Sequence, residues 1–159
     1  MNRVIARAVM PAAVAELQAI SIYESEIFFL KLRPWLRPGA LAPFLEILEE
    51  ERAHAGSMRE WTRVPAALAA LNILAGWMLG LFFACLPMKL VYLAHDWAEV
   101  QAARSYTDAL RAARSRLASE PGLLPAAEWE RLSGALSHAE AQELEHARRF
   151  GRLARGGGA

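Results

Sequence analysis

The stretch from Val64 to Met88 runs for 25 residues without a charged side chain, and no other feature limits the fold as strongly. At about 1.5 Å per residue, a helix of that length reaches across a bilayer. Arg63 and Lys89 flank it evenly, so charge bias gives no orientation. The segment either crosses lipid or lies in or against one leaflet, and chemistry elsewhere in the chain has to decide. Hydrophobic residues make up 55% of the 159, with five Trp among them, which points to lipid contact or unusual burial.

Pro and Gly divide the chain into helical blocks. The first spans about Pro11 to Leu32 and stops at Pro34, Pro38 and Gly39. The second spans about Leu41 to Trp61, ahead of Pro65. The apolar third spans about Ala66 to Leu86, the fourth Met88 to Leu117, and the last Ala126 to Leu153. Ala, Leu, Glu and Arg dominate, and no block shows sustained period-two alternation, so the fold class is all-α. The length suits one domain over 1–159, with 1–10 as a lead-in and 154–159 as a flexible tail. The net charge of +1, with no basic stripe interleaved with aromatics, argues against nucleic acid. The N-terminus is short, basic and Ala-rich and lacks the apolar core of a signal peptide. Cys85 has no partner, reads as a buried small apolar residue, and points to a reducing, intracellular setting.

Two histidines stand three residues after a glutamate, in Glu51-Arg52-Ala53-His54 and Glu143-Leu144-Glu145-His146. On a helix, i and i+3 share a face, so each pair presents a carboxylate and an imidazole to one point. Ferritin-like di-metal bundles use two such pairs, with one Glu from each of two further helices. That donor set, carboxylate oxygen with imidazole nitrogen, suits iron or manganese. A structural zinc would commonly call on thiolates that this chain lacks. In the fourth block Glu99 is favoured over Asp96: it precedes the Pro121–Pro125 turn by about as many residues as Glu143 follows it. The first block offers Glu16, Glu24 and Glu26, and spacing from the Pro34–Gly39 turn does not choose between Glu16 and Glu24. Carboxylates on both sides of the apolar block must share one compartment, which favours a helix lying in or against one leaflet.

These residues carry a resemblance. Ala15-Glu16 followed by Ile22-Tyr23, the run PFLEILEEERAH ending in Glu51 and His54, Trp97-Ala98-Glu99 with Tyr106 seven residues on, and Gln142-Glu143-Leu144-Glu145-His146 resemble the four motifs of the demethoxyubiquinone hydroxylases. The run LAGWMLGLFFACLP is similar to that family's Gly-containing hydrophobic helix. The resemblance covers about Val14 to Arg149. It departs from the family at Ser105, where a histidine is usual, in the lead-in Pro11 to Ala15, and in a longer first turn. None of these departures removes a metal ligand.

The resemblance implies a ferritin-like four-helix bundle with an additional apolar, membrane-contacting helix. It selects Glu16 and implies the ligand set Glu16, Glu51, His54, Glu99, Glu143 and His146 around two Fe²⁺ ions. It further implies hydroxylation of a demethoxy-polyprenyl quinol or quinone by O2, with NADH or a quinol as electron donor. The expected partners are the polyprenyl quinone-type substrate and a membrane surface, with room for a homo-oligomer and an accessory lipid-presenting protein. The expected location is the cytoplasmic face of a bacterial inner membrane, or the matrix side of the inner mitochondrial membrane. The rival readings are a ferritin-like di-iron oxidase or iron-handling protein, and a non-catalytic helical membrane protein.

Tyr23 and Tyr106 each follow a proposed ligand by seven residues, which returns a helix to within about 20° of the same face. Each phenol can point at the cluster, for hydrogen bonding or electron relay, or simply fill the core. His95 reads as a hydrogen-bonded core residue and His138 as a surface residue. Glu49, Glu50, Glu140 and Glu145 read as solvated. Arg148, Arg149, Arg152 and Arg155 form a basic cluster open to solvent or lipid headgroups. Leu74 to Met88, with Trp77, Phe82 and Phe83, is the expected wall of a substrate entrance.

Overall fold

The computed structural model describes residues 2–33 and 39–156. These form five helices, α1 (Arg3–Lys31), α2 (Ala42–Arg59), α3 (Ala66–Ala84), α4 (Met88–Ser119) and α5 (Ala126–Ala154), with no strand among the described residues. Pro65, Pro87 and Pro125 each stand just before a helix with extended ψ, where a fixed φ and a missing N–H cost nothing. Gly122 turns the α4–α5 corner at φ +93°, a conformation that favours glycine.

The first helix begins earlier than expected. Residues 3–10 are helix and not lead-in, because the Asn2 side chain accepts from the amides of Val4 and Ile5 and caps the first turn. Pro11 is carried inside α1, where it and Arg7 are exposed and water can satisfy the freed carbonyl of Arg7. At the other end, α5 runs through Ala154, which is buried, so the tail starts later than expected; 157–159 lie outside the described residues. Pro34 and Pro38 of the first turn also lie outside them. Cys85 is exposed, not buried, because it caps the C-terminus of a helix that packs on one side only.

Cross-helix pairs set the directions. Tyr23 meets Glu99 and Tyr106 meets Glu16, so α1 and α4 run antiparallel. Glu50 meets His146 and Gln142 meets His54, which makes α2 and α5 antiparallel. Arg52 with Glu24, and Thr62 just past the end of α2 with Met10, do the same for α1 and α2. The chain is therefore a bundle of α1, α2, α4 and α5 in which α2 and α4 run parallel. The crossover between them is α3, the single long connection characteristic of ferritin-like bundles. Two apolar clusters fill the bundle. One holds Val9, Met58, Leu132 and Leu136, and the other Leu30, Phe44, Ile47 and Phe150.

The crossover helix lies parallel to α1 and very close to it. A Cβ on Gly76 would fall 2.6 Å from Ser21 Cβ, and one on Gly80 would fall 2.4 Å from the Ile22 carbonyl oxygen. Ser25 Oγ donates to the Trp77 carbonyl at 2.7 Å across the same seam. Gly80→Ala should therefore destabilise the fold by about 1–3 kcal/mol through overpacking. Gly134→Ala, on an exposed face of α5 with nothing near the new methyl, should stabilise it by up to about 1 kcal/mol. Thermal denaturation of both variants checks the opposite signs.

The far side of α3 is uncovered. Leu71, Leu74, Met78 and Phe82 are exposed, and Phe28 of α1, Leu32 just after it, and Leu90, Leu93 and Trp97 of α4 add to the apolar surface. By length and composition, α1 and α3 are both long and apolar enough to cross a membrane. α1 is a core helix of the bundle, with Glu16 and Tyr23 buried against α4; α3 is mostly uncovered.

Candidate metal centre

Six side chains from four helices converge between the two apolar clusters. Glu16 comes from α1, Glu51 and His54 from α2, Glu99 from α4, and Glu143 and His146 from α5; each is at most 5% exposed. They form two overlapping groups whose ligand atoms lie within 4.8 Å of one another: Glu16, Glu51, His54, Glu143, and Glu51, Glu99, Glu143, His146. Glu51 and Glu143 belong to both. Either group could hold a metal ion, and the pair could hold two that share the central carboxylates.

The donor atoms support that fit. Glu16 Oε2, Glu51 Oε1, both oxygens of Glu143, His54 Nδ1 and His146 Nδ1 are all buried without a hydrogen-bond partner. Orphaned buried polar atoms are rare because each costs about 1–3 kcal/mol, and six in one place ask for a cation. His54 Nδ1 lies 3.0 Å from Glu143 Oε1 and 3.8 Å from Glu16 Oε2. His146 Nδ1 lies 3.4 Å from Glu51 Oε1 and 3.6 Å from Glu143 Oε2.

The far nitrogens are equally specified. His54 Nε2 donates to Gln142 Oε1 at 2.9 Å, and His146 Nε2 donates to Glu50 Oε2 at 2.8 Å. Gln142 Nε2 also donates to Glu50 Oε2, at 3.1 Å, which fixes the amide orientation. Since Gln142 Oε1 and Glu50 can only accept there, each Nε2 carries a proton, and Nδ1, which faces the carboxylates, is the nitrogen of each ring that can ligate a metal. Glu50 and Gln142, each directly before a ligand glutamate, thus orient the imidazole of the opposite helix. Glu50 corrects the expectation of a purely solvated residue: it is partly exposed but aimed inward at one edge. Its position, i−4 to His54, was the only signal available.

Tyr23 donates to Glu99 Oε1, and Tyr106 donates to Glu16 Oε1. Each tyrosine thus addresses the glutamate of the other helix, not the one seven residues before it. Among the other first-block candidates, Glu24 pairs with Arg52 at the surface and Glu26 is buried against His95, at 2.6 Å. His138 is exposed, as expected. Glu49 pairs with Arg52 at the surface, whereas Glu140 accepts from Thr107. Within the basic cluster, Arg148 and Arg152 pair with Glu145 and Arg149 pairs with Glu46.

Burial, then the neighbouring charges of Glu51 and Glu143, pushes the Glu16 carboxyl well up; burial and the same two neighbours do so for Glu99. Burial and then Glu143 raise Glu51. Glu143 ends up lowered to about 2: burial alone would raise it, but the facing His146 and His54 outweigh that. His146 is raised to about 10, its burial overcome by Glu143, Glu51 and Glu50. Without a cation the cluster therefore keeps protons where ligands should be bare, as expected for crowded buried carboxylates.

A cavity of about 530 Å³ opens beside the cluster, between α1, α3 and α4. Tyr23, His95 and Glu99 line its floor, and Ile22, Leu79, Phe83 and Trp97 its walls. Of the expected entrance residues, Phe83 lines this cavity, whereas Phe82 is exposed outside it. Comparison with family models, with curated proteins and with solved structures found no match for this chain.

Proposed function

We propose that the chain is an O2-dependent di-iron monooxygenase that hydroxylates a demethoxy-polyprenyl quinol or quinone, as its resemblance to the demethoxyubiquinone hydroxylases implies. The observation that carries this reading is the convergence of four buried carboxylates and two imidazole Nδ1 atoms on two overlapping groups, next to an apolar cavity. When bound there, two ferrous ions would supply the electrons and Lewis acidity that O2 reduction needs. Overall, one oxygen atom of O2 enters the ring C–H bond as a hydroxyl. The other leaves as water, with two electrons from NADH or a quinol and two protons, both from the quinol or, with NADH, one from the donor and one from solvent.

The protein's part is to hold the ligands, keep the site dry and present the ring. Tyr23 and Tyr106 hold the outer carboxylates by their Oε1 atoms, which leaves Oε2 of each for the cluster. A polyprenyl tail resists leaving lipid, since each buried CH₂ is worth about 0.8 kcal/mol. The cavity lies among α1, α3 and α4, the helices that also carry the exposed apolar surface. α2, α4 and α5 carry exposed arginines, so sinking the whole bundle to bilayer depth would strand those charges. We therefore place α3 in one leaflet of a membrane, with the head group entering sideways.

The test uses the iron-loaded chain, vesicles containing a demethoxy-polyprenyl quinol, and ¹⁸O2. The expected product is heavier by one ¹⁸O, at the ring. Reduction of O2 with an unchanged quinol would instead support the oxidase or iron-handling reading.

A further inference from the structure

The cluster repeats itself. Glu16 and Tyr23 of α1 match Glu99 and Tyr106 of α4, and Glu50-Glu51-x-x-His54 of α2 matches Gln142-Glu143-x-x-His146 of α5. The contacts obey the exchange, since each tyrosine addresses the opposite glutamate and each imidazole the opposite outer residue. A site built this way would be expected to surround both halves alike. Among the buried ionisable residues, two break the rule. His95 stands four residues before Glu99, where the other half has Ala12, and Glu26 stands three residues after Tyr23, where the other half has Ala109.

Ala12 and Ala109 belong to an apolar cluster. His95 and Glu26 are 2% and 0% exposed, and Glu26 Oε1 has no hydrogen-bond partner. Burying an imidazole with a carboxylate carries a desolvation penalty that its own attraction need not recover, and the opposite half folds without such a pair. The ring is also fully constrained. Tyr23 and Phe150 each stack against it with ring centroids at 4.8 Å, while Phe44 and Phe83 meet it edge-on at 5.5 and 5.6 Å. With Nε2 held 2.6 Å from Glu26 Oε2, Nδ1 can only face Glu99, 3.9 Å from the Oε1 that Tyr23 already addresses. The same half is the one the cavity reaches, since Tyr23, His95 and Glu99 line it and Glu16, His54 and Tyr106 do not.

We propose that His95 and Glu26 are a positioning pair for Glu99 that makes the two metal positions inequivalent, so that the Glu99–His146 position alone takes up small ligands from the cavity. This rests on the reading of the cluster as a two-metal site. It concerns residues outside the six ligands. The pair fixes one outer carboxylate by a route the Glu16 half lacks, and outer contacts of this kind commonly tune metal affinity by about 10–100-fold.

The test titrates Co²⁺ into the metal-free full chain under argon and follows its visible bands, with azide as the small ligand. The wild type should take two cobalt ions with two resolvable sets of bands, and azide should perturb one set only. A His95→Phe/Glu26→Leu double variant keeps the aromatic packing, removes both polar groups together and matches the apolar opposite half. It should still take two ions, one of them bound about 10–100-fold more weakly, with the azide-sensitive bands displaced and the others unmoved. Glu26→Gln, which keeps a hydrogen-bonding partner for Nε2, should move the same bands by less, and decides the matter should the double variant not fold. Indistinguishable cobalt ions in the wild type, equal displacement of both sets, or azide acting on the unaffected set would overturn the proposal alone. No cobalt uptake by the wild type would overturn the two-metal reading and this proposal with it.

Discussion

Replacing Glu143 with alanine should take the metal content of the chain from two ions to none, while helix content survives. Glu143 belongs to both groups of donors and offers one oxygen toward each imidazole, Oε1 to His54 and Oε2 to His146. Removing it strips a ligand from both positions at once and leaves two imidazoles facing three carboxylates that burial has already pushed toward protonation. A change at an outer ligand differs in kind. Glu16→Ala or His54→Ala removes a donor from one group only, so the Glu99–His146 position should keep an ion, more weakly bound because its neighbour is gone. Element analysis after anaerobic loading with Fe²⁺, alongside circular dichroism, separates the cases. Full occupancy in Glu143→Ala would refute the shared role.

Loading with metal should reverse the pH dependence of thermal stability, and this is the second large effect. In the metal-free chain the folded His146 holds its proton to about 10, against an ordinary value of 6.5. A group whose folded pKa is raised contributes stability that is complete below 6.5 and is lost as pH climbs toward 10. The raised carboxyls of Glu16, Glu51 and Glu99 act in the same direction, since folding takes up protons above 4.5. Glu143, lowered to about 2, acts oppositely but only below 4.5. The melting temperature of the metal-free chain should thus fall from pH 6.5 to pH 9. Metal needs those same groups bare, so binding releases protons and tightens as pH rises. Free metal at 1,000 times its dissociation constant adds about 4 kcal/mol. For a chain of this size that is roughly 8–16 °C. Paired melting curves with metal and with chelator, at pH 6.5 and 8.5, check both slopes; parallel curves would mean the histidines do not ligate.

Much of this site was legible in the sequence because helical periodicity is local. The i, i+3 spacing of Glu51 with His54 and of Glu143 with His146 forces each pair onto one face, and the proline breaks assign those faces to separate helices. Helix ends were legible where a proline stands before them, at Pro65, Pro87 and Pro125. The start of α1 was less so, since Pro11 looks like a boundary and the true cap is one Asn side chain bonding two amides. Choice among Glu16, Glu24 and Glu26 was not legible from spacing, because the contact that sorts them comes from α4: Tyr106 selects Glu16, and His95 takes Glu26. Glu50 was hidden for the same reason. A carboxylate at the bundle edge looks solvated until the partner helix sets His146 opposite it. The exposure of Cys85 was hidden too, because an apolar run does not say which of its sides the protein covers.

The account depends on the buried Glu and His side chains holding a pair of metal ions. Its most direct test is anaerobic Fe²⁺ titration of the metal-free wild-type chain, followed by ⁵⁷Fe Mössbauer spectroscopy. The expected result is saturation at two ferrous ions per chain, giving high-spin signals with oxygen and nitrogen ligation. A chain that binds no iron while its helices remain intact would contradict it.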